Sequence, residues 1–80
     1  MDLRRQVGLN VRQARSRKGW SQEELAFRSG LHRTYVSGVE RGTRNPTVLV
    51  IGRLAATLGI APAELLEPVS DTRRPRPRER

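Results

Sequence analysis

Arg33, Thr34, Tyr35 and Ser37 fall within one short stretch of the 80-residue chain, and together they offer the chemistry of nucleic-acid contact. An arginine can meet guanine O6 and N7 with two hydrogen bonds, and a threonine can offer its methyl to thymine or its hydroxyl to a phosphate. Val36 and Val39 give the same stretch an apolar side, so its polar residues point outward from a helix anchored behind. The run just before it, SQEELAFRSG over residues 21–30, reads as another short helix closed by Gly30. Two short helices joined by a tight glycine turn can set the second into the major groove of duplex DNA. The alternative for Arg33 is an exposed solubilising charge.

The elements that must hold these residues read as helices. Leu3, Val7, Val11 and Ala14 recur at spacings of four, four and three, which predicts an amphipathic helix over roughly residues 2–18, ended by Gly19. Ser21 is a good N-cap for the second helix, and Glu24 three residues later completes a capping box. Leu31 turns inward after Gly30, Val36 and Val39 supply the core side of a third helix, and Gly42 ends it. Thr47 caps a fourth helix with Ile51, Leu54, Ala55 and Leu58 on one face, and Gly59 stops it. Pro62 suits the first turn of a short fifth helix reaching Leu65 and Leu66. Trp20 is expected to cover the small core beside Leu25.

Composition limits the function classes. A chain this short buries only about 60–70% of its unfolded surface, which leaves little room for a catalytic cleft. There is no cysteine and His32 is the only histidine, so thiolate sites and histidine metal clusters are excluded. No cofactor is expected. No apolar run approaches the ~20 residues of a membrane span, so no membrane partner is expected and the location is read as cytoplasmic. The net charge is +8, and fifteen of the sixteen basic residues are arginine, which favours a polyanionic partner. Residues 1–44 carry net +6, residues 45–70 net −1 and the last ten net +3. One face for nucleic acid and another for a protein neighbour would look like this. Residues 1–67 are read as the helical domain. The stretch 68–80, PVSDTRRPRPRER, cannot offset its ordering entropy and is read as a disordered basic tail, either adding nonspecific DNA affinity or merely solubilising.

Residues 8–66 resemble the phage-repressor/Cro type of helix-turn-helix domain, the XRE family. The resemblance rests on SQEELA (21–26), the Gly30-Leu31 turn, VSGVERG (36–42), Asn45-Pro46 and LAATLGI (54–60). The string LHRTYVSGVERGTRNP (31–46) is especially similar to the small controller proteins of restriction-modification systems. The fold this implies is all-α, a five-helix bundle of the lambda-repressor kind containing a helix-turn-helix.

The resemblance also implies roles. Arg33, Thr34, Ser37 and Gly38 fall where family members face base edges, with Gly38 leaving the groove open to close approach. Arg44 would touch bases or a narrow groove, or else be a loop cation. Gln22 resembles the family's phosphate clamp at a helix N-terminus. Tyr35, Arg41 and Asn45 would meet the sugar-phosphate backbone. Arg15 and Glu40 match an ion pair that braces the first helix against the third. His32 departs from the pattern, since relatives often cap the recognition helix with Ser, Asp or Thr there; it would contact phosphate or simply be tolerated. Leu49, Val50 and Ala56 are a second departure, since fourth helices in such domains commonly carry polar groups there; with Leu66 they would leave an apolar patch for homodimerisation, unless the fifth helix or the tail covers Leu49 or Val50. A two-fold dimer would set its recognition helices about 34 Å apart on a near-palindromic site.

The function expected is therefore a homodimeric, sequence-specific regulator of transcription on double-stranded DNA, with RNA polymerase as a further partner if it activates. An antitoxin-type autoregulator or a protein- or RNA-binding adaptor is the alternative. An enzyme is not expected, because Glu23, Glu24 and Glu40 have capping or bracing roles and nothing supplies a nucleophile with its base.

Overall fold

Capping and apolar spacing place the helices. A computed structural model describes residues 2–69 and contains α1 (Leu3–Lys18), α2 (Gln22–Ser29), α3 (Arg33–Arg41), α4 (Val48–Leu58) and α5 (Pro62–Leu65). The described residues are all-α, as the spacing predicts. Asp2 opens α1 by accepting the Arg4 N–H at 2.9 Å. Ser21 Oγ accepts the Glu24 N–H at 3.0 Å, and Thr47 Oγ1 accepts the Val50 N–H at 3.1 Å. The capping box expected at α2 is only half made. The Glu24 carboxylate is taken by Arg28 Nε at 2.6 Å, and the Arg28 guanidinium lies 4.5 Å from the Trp20 ring centroid. A cation stacked on the indole competes successfully for the carboxylate that would otherwise reach back to Ser21. The expectation for residues 70–80 lies outside the described residues.

The core forms where the helices' apolar stripes meet. Val11, Leu25, Val36, Val39, Leu54 and Leu65 are fully enclosed, with Trp20, Leu31, Tyr35, Val50 and Ile60 packed around them. Removing such side chains from water contributes about 1.5–3 kcal/mol each. Leu3 does not complete the α1 stripe, because it is 55% exposed at a helix end that outruns the packed core. α1 lies directly on α3 at Gly8. A β-carbon there would stand 2.3 Å from the Val39 carbonyl oxygen and 2.7 Å from that of Glu40, so only glycine permits this approach.

On another face α1 holds α5 through amides. Gln6 Nε2 donates to the Leu66 carbonyl at 2.7 Å, while Asn10 Nδ2 donates to those of Leu65 (2.9 Å) and Glu67 (2.8 Å). These bonds satisfy carbonyls that a four-residue helix leaves without internal partners.

The first three helices converge on one carboxylate. Glu40 accepts Arg15 Nε at 2.7 Å and Nη2 at 3.0 Å, and Gln22 Nε2 at 3.0 Å. Arg15 Nη1 also donates to the Trp20 carbonyl at 2.8 Å, which fixes the α1–α2 turn. The Glu40 side chain is only 3% exposed. The hydrogen bonds from Arg15 to Glu40 hold the arginine above its ordinary pKa, against the opposing effect of burial. Arg15→Ala strands this buried carboxylate and should cost about 3–5 kcal/mol in urea denaturation. Glu24→Ala, which removes an exposed pair, should cost no more than about 1 kcal/mol.

Candidate nucleic-acid interface

The geometry of α3 separates a buried side from an exposed one. Val36, Val39 and Glu40 are buried, whereas Arg33, Thr34 and Arg41 are exposed and Tyr35 and Ser37 half-buried. Gly30, with φ of 74°, provides the left-handed step between α2 and α3 that a side chain would strain. Arg41 Nη1 donates to Ser37 Oγ, so these two form one polar ridge along the helix. The only carboxylate of α3 is the buried Glu40, which leaves its outer side without negative charge.

Gly38 is not an open notch in this surface. It is buried, and the stem of Arg44 lies over it, with Cγ 2.6 Å from the place where a β-carbon would stand. The Arg44 guanidinium sits 5.5 Å from the Tyr35 ring centroid. The loop is pinned behind it, because the Thr43 N–H (2.9 Å) and Oγ1 (3.1 Å) both donate to the Gly38 carbonyl. Close approach to a groove at residue 38 is thus replaced by a cation supplied from the following loop.

The helix starts differ in how they can treat an anion. At α2, Ser21 serves one first-turn N–H, while those of Gln22 and Glu23 precede the internal ladder. The Gln22 amide has one hydrogen engaged by Glu40, which orients the group and leaves its second N–H free to donate. At α3, His32 occupies the cap position but makes no side-chain cap hydrogen bond, so the first turn keeps its unserved N–H groups. His32, Arg33, Arg44 and Asn45 are all exposed.

A second surface lies on the C-terminal half. Leu49 (85%) and Leu66 (45%) are exposed, as is Ala56, while Val50 is half-buried against the core. Val48, 86% exposed, was not among the expected residues. With Leu3, Pro46, Pro62 and Leu66 it surrounds an apolar cavity of about 490 Å³ whose wall Asn45 also joins. Its signal is its place in α4, outside the stripe of Ile51, Leu54, Ala55 and Leu58. Phe27, 83% exposed on α2, had no such signal. No group of three or more His, Cys, Asp or Glu could hold a metal among the described residues. None of their helices is long and apolar enough to cross a membrane.

Known proteins share this fold. The helix-turn-helix family model HTH_3 matches residues 11–65. The HTH-type transcriptional regulator y4dJ of Sinorhizobium fredii is 46% identical over 72 residues, spanning 90% of this chain and 94% of that protein. The crystal structure of the restriction-modification controller protein C.AhdI from Aeromonas hydrophila superposes with a TM-score of 0.75 at 52% identity, over 78% of this chain and 94% of that one. SinR, the master regulator for biofilm formation, in its crystal structure with DNA, superposes with a TM-score of 0.73 at 32% identity, over 76% and 98% of the two chains.

The unserved start of α3 predicts a trade between stability and binding. His32→Asp should stabilise the fold by about 1 kcal/mol in thermal unfolding, by capping α3. It should also weaken duplex DNA binding, because the carboxylate would occupy an anion's place. Tighter binding by the capped variant would contradict this assignment.

Proposed function

The chain belongs to the HTH_3 helix-turn-helix family, and on that footing we propose that it is a sequence-specific regulator of transcription that binds double-stranded DNA as a homodimer. The observation that carries this reading is the outer side of α3, where Arg33, Thr34, Ser37 and Arg41 stand with Arg44 laid alongside and the helix's one carboxylate, Glu40, is buried. In the relative SinR, a domain of this shape is seen on DNA.

Work divides between positioning and reading. The α2 start with Gln22, together with Arg41, Tyr35, Asn45 and His32, would hold the phosphate backbone and set the register. Arg33, Thr34, Ser37 and Arg44 would then meet base edges in the major groove. Each phosphate neutralised releases counterions, so binding should weaken steeply as salt rises. The basic stretch beyond residue 69 would add to that term, and RNA polymerase would be a further partner where the protein activates.

The second copy is supplied through the C-terminal half. Exposed Leu49, Ala56 and Leu66, with Val48 beside them, form the apolar surface that a two-fold partner would cover. Paired this way, two recognition helices address half-sites about one helical turn apart. The 52% identity to a restriction-modification controller protein favours that class of regulator.

Arg33→Ala should lose about 1–3 kcal/mol of binding and relax preference at one operator position, read by titrating the protein against single-base operator variants. Equal weakening on every sequence would remove Arg33 from base reading. Leu49→Asp should shift the protein to monomer in sedimentation equilibrium and lower its operator affinity. A variant that stays dimeric would place the interface elsewhere.

A further inference from the structure

Gly38 stands one turn on from Thr34, on the side of α3 directed away from Val36 and Val39. A residue there would ordinarily be exposed, and glycine inside a helix is destabilising relative to alanine. Here it is buried, because something else has taken the space. Were a β-carbon present, it would meet Arg44 Cγ at 2.6 Å and both Arg44 Nε and Thr43 Oγ1 at 3.3 Å. Arg44 Cγ lies near the start of its side chain, so relief requires the whole arginine, or the loop bearing it, to move.

We infer that Gly38 is a positioning residue that sets DNA sequence preference without touching a base, by seating Arg44 in the groove-facing place that a side chain at residue 38 would take. This inference rests on the DNA-binding reading above. Three contacts define the seat. The Gly38 carbonyl fixes the loop through Thr43 N–H and Oγ1, the bare Gly38 α-carbon receives the Arg44 stem, and the Tyr35 ring lies under its guanidinium at 5.5 Å. A long loop arginine ordinarily loses rotamer freedom when it binds. Arg44 has lost much of that freedom before DNA arrives. The recognition helix therefore gains a reader whose backbone lies outside it.

The test compares wild type, Gly38→Ala, Arg44→Ala and the double variant by selection of bound duplexes and by titration on the selected operator. Thermal unfolding confirms that each is folded, and NMR follows the Arg44 side-chain protons, which the Tyr35 ring shifts in the seated arrangement. Gly38→Ala should abolish that ring shift and lose the same base preference as Arg44→Ala, by about tenfold. The double variant should bind no more weakly than Arg44→Ala. Three results would each overturn the inference: preference retained in Gly38→Ala, a uniform loss on all sequences, or losses that add in the double variant. A wild-type protein with no sequence preference would instead sink the DNA-binding reading itself. The two failures are thus distinguishable.

Discussion

The arrangement depends on one buried carboxylate. Glu40 is the common acceptor for Arg15 of α1 and Gln22 of α2, and it belongs to α3. Charge burial of this kind is costly unless every lone pair is served, and here two side chains from two other helices serve it. The angle between α2 and α3, set locally by Gly30, is thereby locked against α1. Because Gln22 is one of the donors, the same carboxylate also aims the amide at the α2 start. The bracing of α1 on α3 and the orientation of the α2 start share a single hydrogen-bond network.

The partition of charge follows from that lock. With Glu40 turned inward, α3 presents only cationic and hydroxyl groups, and the adjoining loop adds Arg44. Residues 45–70 carry a net charge of only −1 and leave Val48, Leu49 and Leu66 in solvent. A small domain cannot bury every apolar residue. Of those it leaves out, Val48 and Leu66 lie together around one cavity with Leu3.

Much of this was legible in the sequence because helices announce themselves through spacing and caps. All five elements, and the left-handed glycines that end the first four, follow from apolar periodicity and glycine placement. Less legible was whatever depends on two distant segments competing for one atom. The Glu24 carboxylate went to Arg28, because Trp20 stacks that arginine within reach. Leu3 fits the α1 period, but periodicity does not reveal where the packed core stops. Gly38 reads as an empty place in the helix, and only the folded loop shows what fills it. The amides of Gln6 and Asn10 carry no local signal for their bonds to α5, since their partners lie more than fifty residues away.

Those amide bonds make α1 a shared strut. On one side the helix bears the Gly8 contact and the Arg15–Glu40 pair that hold α3, and on another the bonds that hold α5 and its Leu66. Sixteen residues make a rod of about 24 Å. The exposed side of α3 and the apolar residues beside α5 are therefore braced on the same helix. The bonds to α3 and to α5 all fall within residues 6–15 of α1, about three turns of helix, so a shift of one neighbour is passed directly to the other.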